Sequence, residues 1–147
     1  MSIEDDVAIL ERVPTLRLLG GAALRMVAIG SEQRDIIRGD PLFKQGDDAD
    51  SGFVVQRGAF RIDDGAGAEI TVGPGALIGE LALVVPMKRP ASATALEYSS
   101  VIRITRSLFQ RVLESDPAAA QRLRDEFTSR TSQIASDILM AGAKLSI

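Results

Sequence analysis

The stretch Gly75-Ala76-Leu77-Ile78-Gly79-Glu80-Leu81-Ala82-Leu83, continuing through Arg89-Pro90-Ala91-Ser92-Ala93-Thr94, reads as a strand, a tight turn and a second strand. The first β-type run ends at Gly79, one helical turn follows, and the chain loops back to a new strand at Ala91. A helical turn that opens on glycine points backbone N–H groups and a positive dipole end into the loop, which suits a phosphate. Arg89 returns to the same loop with a planar, charged fork for that phosphate. The Glu80 carboxylate repels a phosphate but accepts well from a sugar hydroxyl. An anion clamp beside a hydroxyl acceptor describes a site for a sugar phosphate. The plain alternative is a surface ion pair between Glu80 and Arg89 on an inert scaffold.

Outward from this stretch, short β-type runs alternate with turn residues from Gln33 to about Ser107. The runs are Asp35 to Arg38, Pro41 to Lys44, Gly52 to Gln56, Ala59 to Asp63, Glu69 to Val72, Ala93 to Leu96 and Val101 to Thr105. Gly39-Asp40-Pro41, Gly46-Asp47-Asp48, Gly58, Asp63-Asp64-Gly65 and Gly73-Pro74-Gly75 punctuate them. Many short strands between Gly and Asp turns predict a β-roll, a double-stranded β-helix of jelly-roll type. Before it, Ile3, Val7 and Leu10 predict a short helix closed by Pro14, and Gly20-Gly21 opens a second with Leu24, Val27 and Ala28 on one side. After it, Ser107 reads as the N-cap of a helix over Leu108 to Glu114. Asp116-Pro117 then starts a long one. Ala120, Leu123, Phe127, Thr131, Ile134, Ile138, Ala141 and Leu145 step by three or four along it. Pro117 to Leu145 spans about 43 Å at 1.5 Å per residue. The expected architecture is mainly β with flanking helices in a single domain over 1–147, with N-terminal helices at 1–32, the roll at 33–106 and C-terminal helices at 107–147.

Composition narrows the chemistry. The chain has 147 residues, enough for one well-packed core, with 46% hydrophobic and 25% charged residues. It holds no cysteine and no histidine. Disulfides, thiolate nucleophiles and sulfur-bound zinc are therefore excluded, and the commonest general base and transition-metal ligand are missing. No paired-carboxylate constellation stands out, so the chain reads as a binding protein and not an enzyme, with no metal or cofactor. A net charge of -3 argues against coating nucleic acid. The apolar runs are too short to cross a bilayer, and the acidic start lacks the basic flank of a signal peptide. A cytoplasmic location is the expectation. Lys88 and Arg106 read as solvated charges.

Gly79-Glu80-Leu81-Ala82-Leu83, with Arg89 nine residues after the glutamate and Pro90-Ala91-Ser92 behind it, resembles a known cassette. It is similar to the phosphate-binding cassette of the cyclic nucleotide-binding domains shared by bacterial catabolite activators, protein-kinase-A regulatory subunits and cyclic-nucleotide-gated channels. The family's structural glycines have matches in Gly39, Gly46 (with Asp47 after it), Gly58 and Gly75. The resemblance runs from about Leu10 to Leu139, with the cassette at 79–92. It implies that Arg89 pairs with the cyclic phosphate and Glu80 accepts the ribose 2′-hydroxyl. Gly79, Leu81 and Ala82 contribute backbone groups, Ala91 and Ser92 line the phosphate side, and the C-terminal helix closes over the base. In the kinase branch a threonine directly after the arginine marks a cGMP preference, and Pro90 in that place points to cAMP.

The chain departs from the family at two places. Pro90 stands where the family usually offers a backbone N–H to a phosphate oxygen, and proline has none. A lost hydrogen bond to a charged group costs roughly 1.5–3 kcal/mol, about ten- to a hundredfold in affinity. Where catabolite activators set a Thr-Ser pair against the base, gapless counting from Arg89 finds Ile134-Ala135. Base recognition then falls to Thr131, Ser132 or apolar cover. The chain also ends near where a helix-turn-helix would begin in such activators, so a stand-alone sensor is expected, with a homodimer through the long helix and a separate effector protein as partners. The rival reading is a degenerate fold that serves protein contact or dimerisation without binding nucleotide.

Overall fold

The computed structural model describes residues 2–129. The expectations placed on Thr131, Ser132, Ile134, Ala135, Ile138, Ala141 and Leu145 lie outside the described residues. Three helices come first: α1 (Ile3–Leu10), α2 (Pro14–Arg17) and α3 (Gly20–Gly30). A capping box starts α1: Ser2 Oγ accepts from the Asp5 N–H at 3.1 Å, and Asp5 reaches back to the Ser2 N–H. Pro14 does more than end α1. It is the first residue of α2, where its missing N–H costs nothing.

Ten strands follow: β1 (Glu32–Ile36), β2 (Pro41–Phe43), β3 (Asp48–Ala49), β4 (Ser51–Arg57), β5 (Phe60–Asp63), β6 (Glu69–Val72), β7 (Leu77–Ile78), β8 (Met87–Lys88), β9 (Ser92–Ala95) and β10 (Ser99–Thr105). They form two four-stranded sheets, ordered β1-β10-β4-β7 and β2-β9-β5-β6, with β3 and β8 as a separate pair. All these pairings are antiparallel, as a roll of folded-over hairpins requires. The structure is thus a β-roll with flanking helices.

Alternation along the strands divides the core in two. On β4 and β10, Phe53, Val55 and Val101 turn inward between the sheets to meet Phe60, Ile78 and Ala95. Val54, Ile102 and Ile104 turn the other way, against Leu10, Leu16, Leu24, Val27 and Phe109 of the helices. Because β4 is covered on both faces, Ser51 through Val55 are all buried, without period-two alternation.

Several boundaries differ from expectation. The first strand begins at Glu32, ahead of Asp35, because Glu32 through Ile36 pair with Arg103 through Ser99 at the edge of the first sheet. Its exposed polar side chains carry no hydrophobic signal. The helix α4 (Arg106–Ser115) is capped by Thr105 and not by Ser107. Strand β10 runs to Thr105, where the Arg106 N–H is already tied to the Asp50 carbonyl at 2.8 Å. Thr105 Oγ1 then accepts from the Leu108 N–H at 3.1 Å. The next helix, α5 (117–129), starts as expected, with Asp116 Oδ1 accepting from the Ala119 N–H at 3.1 Å. Its Ala119, Ala120 and Leu123 are buried. No helix among the described residues is long and apolar enough to cross a membrane.

Candidate functional site

Strand β7 ends at Ile78, and Gly79 turns the chain with φ at +80°, a left-handed conformation that side chains with a Cβ avoid. A 3-10 helix, Glu80–Leu83, follows at once. Gly79 is needed for a second reason: a Cβ there would lie 2.5 Å from Arg89 Nη1. The glycine lets the guanidinium lie against the backbone of the turn.

Arg89 follows β8, and its backbone is pinned on both sides by the 46–47 turn. Its N–H donates to the Asp47 carbonyl at 2.7 Å, and its carbonyl accepts from the Gly46 N–H at 2.9 Å. The side chain is 5% exposed. One amino group donates to the Ser51 carbonyl at 2.8 Å. The guanidinium carbon lies 4.1 Å from the Phe43 ring centroid and 5.5 Å from that of Phe53, within cation–π range of both. Its Nε is buried without a hydrogen-bond partner. Among the described residues no carboxylate forms an ion pair with it. Burial pulls its pKa below the usual arginine value, and the charges of Asp50 and Asp47 oppose that shift. A buried cation held by the carbonyl and hydroxyl of Ser51 and two ring faces has no ion-pair partner among the described residues.

The cavity at this point has a volume of about 250 Å3 and is lined by Phe43, Ile62, Ile78, Gly79, Glu80, Leu81, Ala82, Met87, Arg89, Pro90 and Ala91. Seven of the eight residues singled out in the sequence therefore share one hollow. Ser92 is not in its lining: its hydroxyl accepts from the Gln45 N–H at 2.9 Å. Wider hollows exist on the surface, beside Val84 and Phe127 for example, but this one holds the buried arginine. The simple ion pair between Glu80 and Arg89 is absent. Glu80 Oε1 instead accepts from the Thr15 hydroxyl at 2.8 Å.

Sequence reasoning missed Thr15, Phe43 and Ile62, which reach the site from distant parts of the chain, and Met87, two residues before Arg89. It also misjudged Arg106. This side chain is not a freely solvated charge, for Nη1 reaches the carbonyls of Ala49 at 3.1 Å, Ala82 at 3.4 Å and Val85 at 3.1 Å. It clips the 3-10 helix to the loop before Ser51. Lys88, by contrast, is well exposed and among the described residues pairs with Asp48.

The roll thus brings a buried arginine without an ion-pair partner among the described residues and a glutamate into the lining of one cavity, across a 3-10 turn. The chain belongs to the cyclic nucleotide-binding domain family, whose model matches residues 33–116. It is 32% identical over 98 residues to a cAMP-dependent protein kinase regulatory subunit from Eremothecium gossypii, covering 65% of this chain and 21% of that protein. A transcriptional-regulator N-terminal domain from Streptomyces coelicolor superposes with a TM-score of 0.80 at 28% identity, covering 88% of this chain and 94% of that one. A cyclic nucleotide-binding-like protein from Brucella abortus gives a TM-score of 0.66 at 35% identity, over 75% of this chain and 98% of that one. The chain spans between 6% and 34% of the length of four curated relatives it matches.

Proposed function

We propose that this domain is a sensor module for a cyclic nucleotide, with cAMP as its ligand. The carrying observation is Arg89: buried, without a paired carboxylate among the described residues, and in the wall of a cavity that contains most of the cassette. A cyclic phosphate would supply the counter-charge that burial of the guanidinium demands. Glu80, in the same wall, is the acceptor for the ribose 2′-hydroxyl. Gly79, Leu81 and Ala82 offer backbone groups, and Pro90 and Ala91 close the phosphate side without a donor at Pro90 N. The kinship with a regulatory subunit named for its cAMP dependence supports the ligand.

The module acts by population shift: ligand draws the phosphate loop inward and the C-terminal helix repacks as a lid, for an effector or a second copy to read. In this reading it binds and does not catalyse, and it works in the cytoplasm. Isothermal calorimetry with cAMP and cGMP on the whole chain tests the reading. Saturable binding of cAMP, tighter than cGMP, is expected. A folded chain that takes up neither nucleotide would leave the fold as a protein-contact module.

A further inference from the structure

Glu80 lines the ligand cavity and also a second hollow, on the side of the N-terminal helices, together with Val13, Pro14, Thr15 and Leu77. The residue therefore borders both hollows. From the far side Thr15, 4% exposed on α2, donates its hydroxyl proton to Oε1 at 2.8 Å. We propose that Thr15 is a positioning residue for sugar recognition. By holding Oε1 it favours the Glu80 rotamer that offers the carboxylate to the ligand's 2′-hydroxyl.

The inference rests on the reading of the cavity as a cyclic-nucleotide site. A glutamate at the start of a short helical turn has three rotatable side-chain bonds, so an unheld carboxylate would spend much of its time away from the sugar. The buried Thr15 hydroxyl restrains one of its two oxygens. The bond leaves acceptor capacity on the group, since an ionised carboxylate has about four lone-pair sites. Thr15 comes from a segment 65 residues away in the chain, so the N-terminal helices become part of the sugar site although none of their residues lines the ligand cavity.

The test compares cAMP with 2′-deoxyadenosine 3′,5′-cyclic phosphate, which lacks the hydroxyl that Glu80 accepts, on the parent chain, Thr15→Val and Thr15→Ser. The parent is expected to prefer cAMP. Thr15→Val, close in shape but without a donor, should narrow that preference about fivefold, the worth of one typical hydrogen bond. Its affinity for the deoxy analogue should stay unchanged, which also shows that the variant folds. Thr15→Ser should restore the preference. An unaltered preference in Thr15→Val overturns the proposal, as does an equal loss for both analogues, which would mark Thr15 as merely structural. Tighter cAMP binding in Thr15→Val overturns it too, by showing competition in place of support. A parent that binds cAMP without preferring it to the deoxy analogue removes Glu80 as the sugar acceptor and Thr15 with it. A parent that binds neither analogue removes the cyclic-nucleotide reading itself.

Discussion

At the scale of single residues, the arginine that makes the site is a burden to the ligand-free fold. Arg89 is buried, its Nε has no partner, and burial disfavours its charge. Replacing an unpaired buried charge by an apolar side chain of similar volume tends to stabilise. Arg89→Met keeps a long stem over Phe43 and loses the hydrogen bond to Ser51. The expected outcome is at least a tenfold loss in cAMP affinity by calorimetry, with an unchanged or higher melting temperature. A melting temperature several degrees lower would mean that the Ser51 and ring contacts outweigh the desolvation cost. Pro90→Ala supplies the missing N–H on the phosphate side, so cAMP affinity should rise, by about tenfold if a donor to a charged oxygen is gained. Equal affinity would show that Pro90 had not been limiting. These residues were legible because Gly79 to Ala91 lie within one short piece of chain whose spacing brings them together. Phe43, Ile62 and Thr15 were not, because only the pairing of distant strands and the docking of α2 bring them to Glu80 and Arg89.

At the scale of elements, the 3-10 helix depends on a clip from outside itself. Its four residues are too few to be stable through their own hydrogen bonds. Arg106, the first residue of α4, holds it through the carbonyls of Ala82 and Val85 while also gripping Ala49. Arg106→Met removes these bonds and leaves three carbonyls to find other donors. Its unfolding free energy in denaturant titration should fall by about 2 kcal/mol, from charged hydrogen bonds worth roughly 1.5–3 kcal/mol. Affinity for cAMP should fall with it, because Glu80 and Ala82 ride on the released turn. Stability lost without any change in affinity would show that the turn holds its place alone. The sequence disclosed strands such as β5 and β6 because turn residues bracket them and β-branched or aromatic residues fill them. It was silent on β3 and β8, two residues each, which exist only because each lies alongside the other. It was equally silent on the role of Arg106, since a charge near a helix start carries no sign of which carbonyls will surround it.

At the scale of the whole molecule, the open question is what the apolar seam after Pro117 packs against. In sequence it runs unbroken to Leu145, longer than a roll of this size needs. The structure assigns its first part: Ala119 and Leu123 are buried in the same core as Leu10, Leu16 and Phe109, and Phe127 packs on its edge. Those positions are used within the chain and are not free to join a second copy. A dimer seam would therefore fall to Ile134, Ile138 and Leu145, spaced by four and seven in the sequence as a two-helix contact requires. We predict that the chain is a homodimer and that residues beyond 130 hold it together. Ending the chain at Arg130 leaves Ala119, Ala120 and Leu123 in their core, so the shortened protein should keep its melting transition while its mass by light scattering halves. Ile134→Glu with Ile138→Glu in the full chain should act in the same way, since paired carboxylates facing each other across an apolar seam are not tolerated. A full-length chain that is monomeric at tens of micromolar would refute the dimer. A shortened chain that still dimerises would move the interface elsewhere on the domain, where Ile29 of α3 and Ile37 and Ile70 of the roll are the most exposed large apolar side chains among the described residues.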